Sequence, residues 1–244
     1  MRFLVMHKVD AAVEAGKIDP LVIKNMGALI GESMKAGVFE NGAGLKPAGG
    51  RTRMTFRGNE CLVRHGPYAG SNELLAGFAL IQVNTREEAM DWARRYAKVV
   101  GDVDLELGLV TEPWDLGLAP KPTGPVPLKF LMLHMADAKS EAGTPPTERE
   151  QREMGALLAE MKAAGVLQFG EGVLPSAQGS RFVGTGSKRL VLDGPFAESK
   201  ELISGFSIIN LPTKADALAW ARRYGEILSD IEVDVLRLHD TAAA

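Results

Sequence analysis

Apolar and polar residues alternate along this chain in short blocks, and the spacing inside each block assigns an element. Phe3–Val9 and Phe130–Met135 are brief apolar runs with the length of a buried strand. A helix follows each. The first opens at Asp19-Pro20, an N-cap residue with proline at the first helical position, and the second at Thr147 with Glu150 in capping-box spacing. Both helices end at a glycine, Gly37 and Gly165, suited to a left-handed cap. Short strands around Val38–Leu45 and Val166–Leu174 come next. A hairpin then joins Arg51–Phe56 to Cys61–Arg64, and its counterpart joins Arg181–Val183 to Arg189–Leu192. Phe78–Val83 and Phe206–Leu211 are strands. Thr85-x-x-Glu88, echoed by Thr213-x-x-Asp216, opens a second helix, where Ala89, Trp92, Ala93 and Tyr96 make one apolar stripe. Arg94 and Arg95 lie beside that stripe, on its solvated face. The last strand alternates, with Val103, Leu105, Leu107 and Leu109 inward and Asp104 and Glu106 outward on an exposed face. Its counterpart sets Ile231, Val233 and Val235 against Glu232 and Asp234.

The same blocks return at a constant offset. A shift of 128 residues carries Met26-Gly27-Ala28-Leu29 onto Met154-Gly155-Ala156-Leu157, and Ala36-Gly37-Val38 onto Ala164-Gly165-Val166. It also carries Gly66-Pro67-Tyr68 onto Gly194-Pro195-Phe196, and Trp92-Ala93-Arg94-Arg95-Tyr96 onto Trp220-Ala221-Arg222-Arg223-Tyr224. A shift of 127 pairs Phe3, Leu4 and His7 with Phe130, Leu131 and His134. The chain therefore reads as a tandem duplication, with modules at 1–112 and 128–244. Residues 113–127 form a linker rich in proline (Pro113, Pro120, Pro122, Pro125 and Pro127), of the kind that makes an extended, semi-rigid spacer. Leaving the hairpin aside, each module has the order β-α-β-β-α-β, the ferredoxin-like split βαβ unit of an α+β protein. Both helices of such a unit cover one face of its sheet. Phe3 and Val5 point one way from the first strand, Leu4 and Met6 the other, so the uncovered face needs a partner. The second module supplies it, which predicts two sheets packed face to face as an intramolecular pseudo-dimeric α+β barrel.

Composition narrows the class. A formal charge of -3 over 244 residues, with no block of basic residues, gives no footing for nucleic acid or a membrane surface. No run approaches the roughly 18 apolar residues of a membrane span, and the N-terminal apolar run is too short for a signal peptide. The one cysteine, Cys61, excludes an internal disulfide and sits in a strand as a packing residue. The expected compartment is cytoplasmic.

Val191-Leu192-Asp193-Gly194-Pro195-Phe196-Ala197-Glu198-Ser199-Lys200-Glu201, running on to Gly205-Phe206, resembles the DGPF-motif branch of the YCII-related family. The resemblance covers the second half fully. In the first half it is degenerate, as His65-Gly66-Pro67-Tyr68-Ala69-Gly70-Ser71-Asn72-Glu73. It implies the dimeric α+β barrel fold and, for some members, a His–Asp pair acting on small organic substrates with the histidine on the first helix. Here that helix position holds Met26 and Met154. Association of DGPF-type members with sigma-factor systems implies a regulatory alternative.

Candidate chemistry is sparse. Asp193, at a strand end before Gly-Pro, is either a base or ligand at a cleft or a turn residue that accepts backbone N–H bonds. His65 replaces it in the first half. His7 and His134 end the first strands, either bonded to backbone or serving as general acid/base groups facing the cavity between the sheets. Lys200 follows the DGPF turn, as a surface salt link or a binding group; Asn72 stands in its place in the first half. No metal-ligand spacing, phosphate loop or nucleophile elbow occurs, and no cofactor is implied. Two readings stay open. One is a cofactor-independent small-molecule enzyme using Asp193 and His134, with His7, His65 and Lys200 as binding groups. The other is a non-catalytic metabolite-binding or regulatory module, whose partners are a small-molecule ligand or a regulatory protein. A higher homo-oligomer is compatible with either.

Overall fold

The computed structural model describes residues 1–8, 14–15, 18–70, 72–185, 188–197, 202–228 and 232–239. Their strands are β1 (Arg2–Lys8), β2 (Phe39–Gly44), β3 (Thr52–Arg57), β4 (Glu60–His65), β5 (Leu75–Val83) and β6 (Val103–Leu109), then β7 (Leu128–Met135), β8 (Leu167–Gly172), β9 (Ser180–Thr185), β10 (Lys188–Asp193), β11 (Ile203–Asn210) and β12 (Glu232–Arg237). The helices are α1 (Pro20–Lys35), α2 (Arg86–Val100), the short α3 (Ala138–Glu141), α4 (Glu148–Ala163) and α5 (Lys214–Leu228).

Helix ends form where cap chemistry sets them. The Asp19 carboxylate accepts the Leu21 amide at 2.8 Å, with Pro20 as the first helical residue. Thr147 and Glu150 close a reciprocal box: Glu150 accepts the Thr147 amide at 2.6 Å, and the Thr147 hydroxyl accepts the Glu150 amide at 3.2 Å. Gly37 and Gly165 both sit at φ 69°, the left-handed conformation that glycine enters without a Cβ clash.

The chain divides into two compact units: Met1–Pro47 with Ala69–Glu73 and Val173–Ala244, and Ala48–Tyr68 with Leu74–Gly172. In the first, six antiparallel strands run β10-β9-β12-β1-β11-β2; in the second they run β4-β3-β6-β7-β5-β8. The inner order β12-β1-β11-β2, with α1 and α5, is the split βαβ unit, and the hairpin extends it beyond β12. Each unit draws on both halves of the sequence. The first takes β1, α1 and β2 from the first half and β9–β12 with α5 from the second; the second unit has the reciprocal share. Compact units and sequence repeats are thus different divisions of the chain, because the first strand–helix–strand segment of each half pairs with the other half. This exchange leaves the equivalent contacts in both units.

Phe3, Val5, Phe182, Ile209, Trp220 and Val233 fill the layer between sheet and helices in the first unit. Met54, Ile81, Leu105, Leu107, Phe130 and Met161 do so in the second. The helix pair of the first unit is locked by Trp220 Nε1, which donates to Ser33 Oγ at 2.8 Å, and by the Arg223–Glu32 ion pair at 2.7 Å. Arg95–Glu160 is the matching ion pair of the second unit. The arginines beside the apolar stripe therefore meet carboxylates on neighbouring turns and helices.

Three expectations change. Only half of the outward residues of the final strands reach water: Asp104 and Glu232 keep 36% and 25% side-chain exposure, whereas Glu106 and Asp234 are 0% exposed and clamped by Arg51 and Arg53 or by Lys8 and Arg181. Cys61 is exposed, since β4 ends its sheet. The proline-rich segment is not extended throughout, for Pro113–Leu116 closes a 3-10 turn in which Asp115 accepts the Glu112 amide at 2.9 Å. Among the described residues no helix is long and apolar enough to cross a membrane.

Candidate functional site

Each unit holds one histidine at the boundary between sheet and helices. His134 lies on β7, and its Nδ1 is hydrogen-bonded to the Tyr96 hydroxyl of α2 at 2.9 Å. His7 lies on β1, and its Nδ1 is hydrogen-bonded to the Tyr224 hydroxyl of α5 at 2.6 Å. In both pairs the histidine comes from one half of the sequence and the tyrosine from the other. The rings thus turn toward the helix layer of their own unit. The expectation that they face a cavity between sheets does not describe them, because on β1 and β7 their side chains alternate with Leu4, Met6, Leu131 and Leu133. Gly205 is opposite His7 on β11, and a Cβ there would lie 2.5 Å from the His7 Cε1 atom. Glycine at this position makes room for the imidazole.

His134 opens on a cleft of about 240 Å³, which Arg57, Asp102, Asp104 and Asp137 also line. Burial holds the imidazole below its ordinary range, against the opposing pull of the Asp137 carboxylate. Burial also pushes the Tyr96 hydroxyl up to about 12, so the phenol keeps its proton. Asp137 caps α3, accepting the Ser140 amide at 2.8 Å. Burial raises its carboxyl, yet Ser140 and the nearby His134 bring it below the usual carboxylate range. Arg57 donates to Asp104 at 2.7 Å. The arrangement is a neutral base in a cleft with three carboxylates, Asp102, Asp104 and Asp137.

The opposite faces of the sheets carry buried charge. Glu106 accepts from Arg51 at 2.7 Å, from Arg53 at 2.7 Å and from the Tyr68 hydroxyl at 3.0 Å. The Arg53 guanidinium also lies 4.9 Å from the Tyr68 ring centroid. In the first unit, Asp234 meets Lys8 at 3.0 Å and Arg181 at 2.6 Å, and Arg181 lies 4.5 Å from the Phe196 ring centroid. Burial alone would raise the Asp234 carboxyl; Lys8 and Arg181 bring it below the carboxylate range. Glu106 is occupied by three donors, and the aromatic residue after each Gly-Pro stacks on a clamping arginine. Each cluster lies within one unit and leaves its buried carboxylate paired.

Asp193 ends β10 in the first unit, whereas His134 belongs to the second. Its side chain is 75% exposed. Oδ1 accepts from Ser180 Oγ at 2.6 Å and from Lys214 Nζ at 2.9 Å, and these donors hold the carboxyl below its usual range. Its partners are thus a neighbouring strand and the start of α5. His65 has the equivalent setting in the second unit: its Nδ1 lies 3.0 Å from Thr52 Oγ1, which accepts from Arg86 at 2.6 Å. Thr52, His65 and Arg86 match Ser180, Asp193 and Lys214 position by position. Lys200, with Glu198 and Ser199, lies outside the described residues. Among the described residues no group of three His, Cys, Asp or Glu side chains is placed to hold a metal ion.

Sequence reasoning missed Tyr96, Tyr224, Asp137 and Lys8. The signal for the tyrosines was present, since the repeated Trp-Ala-Arg-Arg-Tyr block keeps its tyrosine while the first strands keep their histidine. Lys8 and Asp234 gave no such signal, because position 135, the counterpart of Lys8, is Met135. No curated protein and no solved structure matches the chain. Residues 128–238 match the family model of the YCII-related domain, and similarity to that family is what this half of the chain adds to the geometry.

Proposed function

We propose that this chain binds a small molecule in the cleft of the second unit and uses His134 to exchange a proton with it, without a cofactor. The observation that carries the reading is the state of His134: burial keeps its imidazole neutral, Tyr96 engages Nδ1, and the ring borders a cleft with Asp137. A neutral imidazole near physiological pH is a competent general base, and Nε2 is the ring nitrogen left for a ligand. Asp193 does not enter this proposal, since Ser180 and Lys214 already share its exposed carboxylate. The same proposal treats the chain as two YCII-like modules joined in tandem, the second of DGPF type, standing in for a dimer and its two-sheet barrel. Equivalent triads at Thr52/His65/Arg86 and Ser180/Asp193/Lys214 support that reading.

The test is a thermal-shift screen of small organic acids and metabolites against wild type and His134→Gln. Compounds that stabilise wild type should lose their effect in the variant. A hit that stabilises both equally moves the ligand away from His134. For a true hit, deuterium exchange into its C–H positions in heavy water, followed by NMR, separates the two remaining readings. Exchange that His134→Gln abolishes identifies an enzyme; binding without exchange identifies a metabolite-binding module.

A further inference from the structure

β10 is the end strand of the first unit's sheet, and all six of its residues are exposed. Leu190, Val191 and Leu192 are 54%, 47% and 43% exposed. Soluble proteins usually avoid three large apolar residues on an open edge, because the unpaired amides and carbonyls there template another strand. The backbone also fixes which of those groups are open. The Gly194 amide donates to the Gly179 carbonyl, continuing the ladder between β10 and β9, which runs without a register shift. Residues of an antiparallel strand alternate between facing their partner strand and facing away from it. Lys188, Leu190 and Leu192 therefore share the direction of Gly194, toward β9. Arg189, Val191 and Asp193 turn their amides and carbonyls to the open edge.

An added antiparallel strand must offer three outward residues of its own, and β10 of a second copy does so. With Val191 opposite Val191 of the second copy, Arg189 of each chain lies opposite Asp193 of the other. Opposite charges then meet at both ends of the pairing, on the same face as the central valines. Leu190 and Leu192 face each other across the other side of the sheet. Sliding by two residues keeps the backbone match but sets Arg189 against valine, or valine against Asp193, and removes both ion pairs. The strand is self-complementary in one register only. We infer that a second copy of this chain docks on β10, joining the two six-stranded sheets edge to edge about a two-fold axis at Val191.

Sedimentation of the full-length chain over a wide concentration range should show a monomer–dimer equilibrium. Val191→Lys sets two ammonium groups opposite each other at the axis and should weaken dimerisation at least about tenfold, on the order of 1.4 kcal/mol. Leu62→Lys is the control: Leu62 is 62% exposed on β4, the end strand of the other sheet, and the equilibrium should not move. Arg189→Asp and Asp193→Arg should each weaken self-association. Mixed in equal amounts they should recover it, because every aspartate then faces an arginine. Asp193→Arg also removes the bonds to Ser180 and Lys214, so circular dichroism must show that it folds; if it does not, Val191→Lys and Arg189→Asp decide alone. A chain that stays monomeric at every concentration overturns the inference. So does a dimer that survives Val191→Lys, or one that Leu62→Lys breaks.

Discussion

Burial makes His134 a group whose protonation is linked to folding. Its imidazole titrates below the ordinary value of about 6.5, so between that value and its own depressed one the unfolded chain binds a proton that the native chain refuses. Stability is therefore fully present above about pH 6.5 and declines as the pH falls through that window, by at most about 1.4 kcal/mol per pH unit. His134→Gln cannot take up the proton. Its urea midpoint should fall less between pH 7 and pH 5 than that of wild type, whatever the baseline loss from the Tyr96 contact. Equal slopes for the two proteins would show that His134 titrates normally. The histidine itself was legible in the sequence as a repeated strand-end residue. The repeated block marked Tyr96 as well, but not the pairing of the two, because Tyr96 belongs to the other half of the chain and meets His134 only through the exchange of segments. Glu106 and Asp234 were misread for a related reason. Alternation marks two faces of a strand, but it does not say which faces are covered, and a carboxylate clamped by cations can be buried on either.

Element boundaries were the most legible feature, since caps are local chemistry. Asp19-Pro20, Thr147 with Glu150, and the glycines at 37 and 165 act within one turn of chain and need no tertiary partner. Other glycines look alike in sequence and differ in place. Gly27 in α1 and Gly155 in α4 are equivalent helix residues, and a Cβ added at either would meet nothing within 4 Å. Replacing each with alanine should stabilise the protein by roughly 0.5–1 kcal/mol, because alanine loses less backbone entropy in a helix. Gly205 behaves in the opposite way. Its added Cβ would lie 2.5 Å from His7 Cε1 and 2.9 Å from the Ala43 carbonyl oxygen, crowded on both sides by paired strands. Gly205→Ala should destabilise and should push the His7 ring away from Tyr224, a displacement that the imidazole NMR signals would report. Chemical denaturation of the three variants measures the stability contrast. Destabilisation by Gly27→Ala and Gly155→Ala, or a neutral Gly205→Ala, would contradict the packing described.

At the scale of the whole chain, the repeats could be read but the exchange could not. Two near-equivalent halves offer the same strand pairings whether each segment returns to its own half or crosses to the other, so hydrophobic pattern and caps are silent on the choice. The crossed arrangement has a consequence that the uncrossed one lacks: neither half contains a complete sheet. Cutting the chain within its exposed stretch at residues 117–125 should leave two pieces, 1–122 and 123–244, that fold only in combination. In a pair of second-half pieces, β7 would take the place of β1, and Met135 would stand where Lys8 meets Asp234. The buried carboxylate would keep Arg181 but lose an ammonium, at a cost below the roughly 3–5 kcal/mol of a buried charge left with no partner. First-half pieces escape this defect, since Glu106 is clamped by Arg51 and Arg53 of its own half. The expected outcome is a one-to-one complex when the two pieces are co-expressed, and self-association of 1–122 when it is made alone. Piece 123–244 alone should be the less stable of the two, and Asp234→Asn should relieve part of its deficit. Size-exclusion chromatography with light scattering reads the stoichiometry, and thermal melts read the order of stability. A soluble, cooperatively melting monomer from either piece would mean that each half closes its own sheet, and the exchanged topology would have to be abandoned.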